Sequence, residues 1–213
     1  MDRISKLCSY LDKCTTFADV GCDHGYCTRY MLKNGLCESA VITDISAKCL
    51  NKAENLLLGY IEKGVVSSVC CNGLEGVSED TEQVLIAGMG GDEILSIFKN
   101  SFIPRNFVLQ PMKNVRAVRE YLLSNYAEIT LDEPFESGGK FYFVIKGKRV
   151  GVPSKYGESQ LEFGLNLLGI TTKKYIFAEI IKKRAYLERN LNEETRSKIE
   201  EEVRFMEGVL NEN

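Results

Sequence analysis

The sequence predicts an α/β fold built on a mostly parallel β-sheet. Short apolar runs alternate with amphipathic segments through residues 17–125, as expected for strands joined by crossover helices. The first run, residues 17–20, stops at a turn with the spacing Gly-x-Asp-x-Gly, from Gly21 to Gly25. A second run ends about twenty residues later in an acid, Asp44. Together these features are typical of a Rossmann-like fold.

Length and composition fit one such domain with a small extension. The chain has 213 residues, of which 44% are hydrophobic and 27% charged, as in ordinary globular proteins. The N-terminal segment carries charged residues every few positions, unlike a signal peptide, and no apolar stretch is long enough to span a bilayer. We therefore expect a soluble cytoplasmic protein with domains at residues 1–150 and 151–213.

Helices and strands are predicted to alternate up to residue 125. Apolar residues at positions i, i+3, i+4 and i+7 predict a helix over residues 2–13, packed on one edge of the sheet. Ser46 is the predicted N-cap of another helix. The further predicted helices cover residues 25–34, 47–62, a segment after Asp92, and 115–125. The predicted strands cover residues 17–20, 40–44, 65–71, 83–87 and 107–110.

The sheet is predicted to end in two strands with no helix between them. These strands cover residues 128–131 and 140–146, and residues 132–139 join them. One of the two must run against the parallel strands. A dinucleotide-binding sheet would instead continue helix by helix, so this ending argues against that class of protein.

Beyond Pro153 and Gly157 the pattern becomes helical. Asn192, followed by two glutamates, is the predicted N-cap of the last helix. Apolar residues recur at three- and four-residue spacing in two segments, at Ile176, Ile180, Leu187 and Leu191 and then at Ile199, Val203, Met206 and Leu210. The two segments predict an antiparallel helical pair.

Basic residues are concentrated in residues 146–189. This segment has ten Lys and Arg against four Asp and Glu, a net charge of +6, whereas the whole chain is at -3. Such an island could neutralise nucleic-acid phosphates, although a solvated helix face would have the same composition. Its members are Lys146, Lys148, Arg149, Lys155, Lys173, Lys174, Lys182, Lys183, Arg184 and Arg189.

The eight cysteines do not predict a metal site. They form no Cys-x-x-Cys pair, and His24 is the only histidine. We expect most of them to be reduced, small, buried side chains.

The glycine turn indicates a ligand that carries a ribose and a positive charge. Glycines let backbone approach a ligand, and Asp44 is placed to accept hydrogen bonds from ribose hydroxyls. Asp23 stands where a dinucleotide fingerprint has its middle glycine, and its carboxylate would repel a pyrophosphate. S-adenosylmethionine, with a sulfonium and a free ammonium, suits this arrangement. A nicotinamide or flavin nucleotide and a purely structural turn are the alternatives.

Two more turns follow predicted strands. Asn72 and Gly73 come after the third strand, where an amide could contact an adenine rim or simply form a turn. Residues 88–91 come after the fourth strand and contain three glycines. Bare backbone there leaves room for a flat ligand.

Five motifs occur together: ADVGCDHGY at 18–26, VITD at 41–44, NGL at 72–74, IAGMGG at 86–91 and LQP at 109–111. With the helical extension, they resemble the bacterial tRNA adenine-N1 methyltransferases of the TrmK type, which modify adenine 22 of tRNA. The resemblance implies a Rossmann-like, seven-stranded methyltransferase sheet and a small coiled-coil-like C-terminal subdomain that contacts tRNA. It also implies S-adenosylmethionine as cofactor, tRNA as partner, and neither a metal nor a membrane.

The resemblance further implies a set of site residues. Asp23 and His24 would be catalytic. The cofactor would be held by Gly21, Cys22, Asp23, Gly25, Asp44, Ile45, Asn72, Gly73, Ala87, Gly88 and Met89. The substrate would contact Tyr26, Gly90, Gly91, Gln110 and Pro111. Independently of the resemblance, the basic island offers four lysines as candidate tRNA contacts, Lys173, Lys174, Lys182 and Lys183. The chain departs from the family at Met112, Gly138 and Phe143, so no polar role is assigned at these positions.

Methyl transfer to adenine N1 depends on positioning the two reactants, and the base must be unpaired because N1 lies on its Watson-Crick edge. Asp23 could accept a hydrogen bond from the exocyclic amine or hold the cofactor ammonium. His24 could orient the base or a phosphate, or be structural. A methyltransferase for small molecules or proteins and a non-catalytic RNA-binding module are the alternative functions. The oligomeric state is left open, and a monomer is one possibility.

Overall fold

The computed structural model of the chain describes residues 2–212 and contains a seven-stranded sheet with helices on both faces. The strands are β1 Thr16–Val20, β2 Ser39–Asp44, β3 Val66–Cys70, β4 Gln83–Ala87, β5 Asn106–Gln110, β6 Glu128–Ser137 and β7 Lys140–Lys148. The helices are α1 Arg3–Cys8, α2 Tyr26–Lys33, α3 Ala47–Ile61, α4 Gly91–Asn100, α5 Val115–Ser124, α6 Glu158–Phe163, α7 Ile170–Leu187 and α8 Glu193–Glu212.

The strand order is β3-β2-β1-β4-β5-β7-β6, and the first five strands are parallel. β7 runs antiparallel to both of its neighbours, β5 and β6. The predicted Rossmann-like sheet with one reversed strand is therefore confirmed. The chain leaves β1 towards β2 on one side and returns to β4 on the other, and this change of direction opens a crevice at the carboxyl ends of β1 and β4.

The closing hairpin is longer than the sequence predicted. β6 continues to Ser137, and only Gly138 and Gly139 connect it to β7. Both glycines have positive φ angles, 57° and 71°, as a two-residue hairpin turn of type I′ requires. The predicted connection over residues 132–139 is therefore wrong. The longer β6 includes Pro134, and an edge strand such as β6 tolerates a residue without an N–H group.

Two apolar cores cover the two faces of the sheet. Alternate strand residues point to opposite faces, so Phe17 joins one core and Ala18 the other. The first core includes buried residues of α1, α2 and α3, and the second includes buried residues of α4 and α5.

The first helix is shorter than predicted, because α1 ends at Cys8 rather than near residue 13. Leu11 is buried, as the apolar spacing suggested, but it lies beyond the end of the helix. Tyr10, which is not part of that spacing, is also buried and lies in a turn. The amide of Asp12 donates to Oε1 of Gln83 at 3.0 Å, which ties the chain to the start of β4. The periodicity thus identified buried positions correctly and overestimated the helix.

The C-terminal residues form the predicted helical pair. α7 and α8 share an apolar core that includes Ile176, Ile180 and Val203. Oδ1 of Asn192 accepts a hydrogen bond from the amide of Thr195 at 2.8 Å, so Asn192 caps α8 as predicted. α6, a short helix between the sheet and the pair, was not predicted.

A fully buried ion pair attaches these helices to the sheet. Arg119 on α5 donates through Nε and Nη2 to the carboxylate of Asp132 on β6, at 2.7 and 2.8 Å. Its Nη1 donates to the carbonyls of Leu161 and Glu162, both at 2.9 Å. Tyr156 donates its hydroxyl to Asp132 at 3.1 Å. These bonds join residues before and after residue 150, the predicted boundary between two domains. The division into two domains stays a prediction.

Candidate functional site

A cavity of about 540 Å³ lies at the carboxyl edge of the parallel strands. Every residue predicted to hold the cofactor lines it except Cys22 and Gly25. The full lining is Arg3, Gly21, Asp23, Asp44, Ile45, Asn72, Gly73, Ala87, Gly88, Met89, Glu93, Ser96 and Ile97. We call it the edge cavity.

The first glycine turn is built for close approach. Gly21 has a φ angle of 70°, and a Cβ added there would lie 2.0 Å from Cε of Met89. The amides of Gly21 and Cys22 donate to the carbonyl of Thr43 at 2.8 and 3.0 Å, which joins the turn to the end of β2. A side chain at position 21 would therefore displace Met89 from the wall of the edge cavity.

The Asp44 carboxylate is held in a fixed orientation at the end of β2. One oxygen accepts the amide of Ser46 at 2.8 Å and the other accepts the amide of Asp23 at 3.2 Å. Each oxygen keeps a further lone pair. An oriented carboxylate that lines the edge cavity is the group that can accept hydrogen bonds from a ribose.

Asp23 has a cationic neighbour that the sequence did not indicate. Nζ of Lys52, on α3, lies 2.9 Å from one Asp23 oxygen, and Nε2 of His24 lies 3.6 Å from the other. The hydrogen bond from Lys52 is the main cause that lowers the pKa of the Asp23 carboxyl. Asp23 is thus an anion whose charge Lys52 already balances in part.

Arg3 is a site residue that sequence reasoning missed. Its guanidinium donates to Oε1 of Gln110 at 2.7 Å and lies over the ring of Tyr142, 5.8 Å from the ring centroid. Only the folding of α1 over the ends of β4 and β5 brings it to the edge cavity, and no motif marks it. Glu93, on α4, also lines the edge cavity and was not predicted. Its position in the first helical turn after the glycine loop could have indicated that it lies at the site.

A smaller cavity of about 190 Å³ adjoins the edge cavity and shares Arg3, Gly21, Asp23 and Ala87 with it. Both predicted catalytic residues, Asp23 and His24, line it. So does Tyr26, the first residue of α2, which was predicted to contact the substrate. The imidazole of His24 stacks on the Tyr26 ring, with centroids 5.3 Å apart and an angle of 10° between planes.

Asp19 lines the same small cavity, and its side chain is buried. Burial raises the pKa of its carboxyl to about 6, although the hydroxyl of Thr28 donates to it at 2.9 Å. Asp19 was not predicted as a site residue, because it lies within β1 between apolar residues and belongs to no turn motif.

Several predicted site residues are structural neighbours of the site. Gly25 is the N-cap of α2 and packs on Ala53, and Cys22 is buried and lines the small cavity. Gly91 packs against the backbone of residues 113 and 114 and lines neither cavity. The structure therefore places Cys22, Gly25 and Gly91 outside the edge cavity, and their predicted roles stay predictions.

The remaining predicted substrate residues near the sheet are set apart from the edge cavity. Gln110 is completely buried, and its side chain holds Arg3 and contacts Met112. Gly90 packs against Lys113. Pro111 lines a separate cavity of about 520 Å³ beside the hairpin.

The four predicted tRNA-contacting lysines all lie on α7. Lys182 pairs with Glu179 at 2.5 Å, and Lys183 pairs with Glu202 of α8 at 2.5 Å. Lys174 is exposed and Lys173 half-buried. Acidic residues of the helical pair therefore offset part of the basic island.

The edge cavity fits S-adenosylmethionine. Its volume lies within the range of roughly 300–1,000 Å³ usual for small-molecule sites. Asp44 suits a ribose, and bare backbone at Gly73 and Gly88 leaves room for a flat ring. Arg3 and Asp23 provide one cation and one anion, which matches the carboxylate and ammonium of an amino acid head.

Within residues 2–212, no three or more His, Cys, Asp and Glu side chains are grouped so that they could hold a metal ion. In the same part of the chain, no helix is both long enough and apolar enough to cross a membrane.

Comparisons with known proteins agree with this geometry. A putative tRNA methyltransferase of Mycoplasma pneumoniae is 31% identical over 179 residues, 82% of this chain and 84% of that protein. A tRNA (adenine(22)-N(1))-methyltransferase of Bacillus subtilis is 25% identical over 190 residues, 85% of this chain and 78% of that protein. The structure of M. capricolum TrmK with S-adenosylhomocysteine superimposes with a TM-score of 0.87 at 23% identity, covering 98% of this chain and 96% of that chain.

The model of the methyltransferase domain family matches residues 1–145, which include the five parallel strands, β6, most of β7 and every residue that lines the edge cavity. With these relatives and this site, the chain belongs to the methyltransferase domain family.

Proposed function

We propose that this protein is an S-adenosylmethionine-dependent tRNA (adenine-N1)-methyltransferase that forms 1-methyladenosine at position 22. The observation that carries the proposal is the edge cavity, where Asp44, Asp23 and the glycine turns surround a space of about 540 Å³. The names of the M. pneumoniae and B. subtilis relatives support tRNA as the substrate. A tRNA substrate would place the protein in the cytoplasm.

Residues of the edge cavity would hold S-adenosylmethionine, which when bound supplies an electrophilic methyl group on a sulfonium. Asp44 would accept hydrogen bonds from the ribose, because its carboxylate is already aligned by two backbone amides. Asn72 and Gly73 would face the adenine. Arg3 would bind the carboxylate of the amino acid head, and Asp23 its ammonium, with Lys52 keeping Asp23 ionised.

The target adenine would enter beside the small cavity, where His24 and Tyr26 present stacked rings. N1 already carries a lone pair, so no residue has to remove a proton before the transfer. Methylation makes the ring cationic, and a nearby anion would stabilise the charge as it develops. Asp23 and Asp19 are the carboxyl groups that line this cavity. His24 would orient the base or its phosphate.

The helical pair would contribute to tRNA binding through α7. Lys173 and Lys174 lie near the start of α7, and Lys182 and Lys183 lie near its end. Binding a phosphate at Lys182 or Lys183 would replace an existing ion pair with glutamate. The gain per phosphate would therefore be smaller than for an unpaired lysine.

The test is methylation of a defined tRNA transcript by the purified protein with labelled S-adenosylmethionine, followed by nucleoside analysis. We expect label in 1-methyladenosine with the natural transcript, and none when guanine replaces adenine 22. Label elsewhere in the transcript would refute the position. Labelled protein or small molecules with unlabelled tRNA would refute the proposal altogether.

A His24→Ala variant separates the roles of the imidazole. If His24 orients the base, turnover falls while affinity for S-adenosylmethionine is unchanged. Unchanged turnover and unchanged tRNA affinity would assign His24 a structural role only.

A further inference from the structure

The cavity beside the hairpin is separate from the proposed cofactor site, and of the residues predicted to contact the substrate only Pro111 lines it. Its volume is about 520 Å³. The loop from Pro111 to Val115, the first residues of β7, Glu162 of α6 and Tyr175 of α7 line it. We call it the hairpin cavity.

The hairpin cavity adjoins the loop that borders the edge cavity. Met89 lines the edge cavity and Met112 lines the hairpin cavity, and the amide of Met112 donates to the carbonyl of Met89 at 2.8 Å. The aliphatic part of Lys113 packs over Gly90, since a Cβ added there would lie 2.9 Å from Cε of Lys113. The two cavities therefore lie on either side of the ends of β4 and β5.

Aromatic rings form one wall of the hairpin cavity. The rings of Phe141 and Tyr175 meet edge to face, with centroids 5.5 Å apart and an angle of 66° between planes. Phe143 packs behind them, its ring centroid 5.0 Å from that of Tyr175. The guanidinium of Arg119 covers Phe143, whereas Phe141 is only half-buried. Phe141 is thus the ring that can accept a stacking ligand.

The charges at the rim are mostly positive. Lys113 and Lys140 are exposed, and no carboxylate in residues 2–212 lies within ion-pair distance of either ammonium. Arg116 and Glu162 also line the cavity, but they pair with each other. Arg116 contacts Glu120 and Glu158 as well, so that cluster adds no free cation. The net attraction for a phosphate comes from the two lysines.

An aromatic wall with two unpaired cations at its rim is the chemistry that binds a nucleotide: the base stacks and the phosphate meets the ammonium groups. Adenine N1 can be methylated only when its base is unpaired, and a base that leaves the stack deprives an adjacent base of one stacking partner. We propose that the hairpin cavity binds an unpaired nucleotide next to the target adenine, with its base on Phe141 and its phosphate between Lys113 and Lys140. This inference rests on the proposed function.

The first arm of the test removes the phosphate contacts. Affinity for a fluorescent tRNA transcript is measured for a Lys113→Ala/Lys140→Ala variant, and for a Lys33→Ala/Lys63→Ala control whose exposed lysines lie near the ends of α2 and α3. We expect the first variant to lose about tenfold or more in tRNA affinity and to keep its affinity for S-adenosylmethionine. The control should match the wild type in both.

The second arm tests stacking. Transcripts with an abasic site on either side of the target adenine are compared for the wild type, a Phe141→Leu variant and a Phe102→Leu control. Phe102 is half-buried like Phe141, but it packs against the second core and does not line the hairpin cavity. We expect one abasic site to weaken binding by the wild type and by Phe102→Leu about fivefold or more, and to change binding by Phe141→Leu little.

Three results would refute the inference, and only the third would also refute the proposed function. Wild-type tRNA affinity in the Lys113→Ala/Lys140→Ala variant would overturn the inference and leave the proposed function intact. An abasic penalty of equal size in Phe141→Leu and in the wild type would do the same. If the wild type neither binds nor methylates the transcript, the proposed function and the inference both fail.

Discussion

Replacing Arg119 should destabilise the whole chain. Arg119 and Asp132 are both completely shielded from solvent, and four hydrogen bonds from the guanidinium join β6, α5 and the carbonyls of residues 161 and 162. In an Arg119→Met variant the Asp132 carboxylate stays buried with only the Tyr156 hydroxyl as a side-chain donor. The two carbonyls lose their Arg119 donor.

The expected cost follows from the buried charge. Removing one partner of a buried ion pair typically lowers the free energy of unfolding by about 3–5 kcal/mol. For a chain of this size, each kcal/mol corresponds to about 2–4 °C in melting temperature, so the midpoint should fall by roughly 6–20 °C. Burial already raises the pKa of the Asp132 carboxyl despite Arg119, so Asp132 should take up a proton more readily in the variant.

Thermal and urea unfolding measure this cost, and Arg149→Met is the matched control. Arg149 pairs with Glu79 on the surface, where the side chains are 37% and 63% exposed. Removing such a pair should cost about 1 kcal/mol or less. An Asp132→Asn variant should resemble Arg119→Met, because it leaves the arginine cation buried and unpaired.

The double variant Arg119→Met/Asp132→Asn provides the decisive comparison. With no unpaired charge left, it should lose less stability than the sum of the two single variants. Additive losses, or a loss in Arg119→Met no larger than in Arg149→Met, would refute the view that this ion pair joins the helices to the sheet.

Three further predictions concern the site. Asp44→Asn should weaken binding of S-adenosylmethionine about 10- to 100-fold by calorimetry, through loss of charge-assisted hydrogen bonds, whereas Asp12→Asn should not. Asp19 has a raised folded-state pKa of about 6, so its contribution to stability is lost as pH rises from about 4 to about 6. Relative to Asp19→Asn, the wild type should lose about 3 kcal/mol across that window in urea unfolding, and a constant difference would contradict this. Alanine at four α7 lysines should lower tRNA affinity, make that affinity less dependent on salt concentration and leave cofactor affinity unchanged. Equal loss of both affinities would indicate misfolding. These lysines are Lys173, Lys174, Lys182 and Lys183.

Some of the site could be predicted because its chemistry is carried by backbone turns. Gly21, Gly73 and Gly88 follow apolar strands, and such turns at the carboxyl ends of parallel strands must lie at one edge of the sheet. Asp44 belongs to the same pattern. All four line the edge cavity.

Other site residues depend on contacts between segments far apart in the chain. Arg3 reaches the cavity through Gln110, which lies 107 residues away in the chain. Lys52 meets Asp23 across 29 residues. No local sequence pattern predicts these two contacts, because they depend on how the helices pack on the sheet.

The sequence by itself determined the order of the strands and of the helices except α6, the reversal of one of the last two strands, the helical pair and the glycine turns at one edge of the sheet. Local hydrogen bonding and the period of apolar residues specify these features. Only the tertiary structure decided the length of the hairpin, the position of Arg3, the Lys52 neighbour of Asp23 and the hairpin cavity. Each of these features depends on contacts between residues of separate elements. The packing of the two cores decides which residues come into contact.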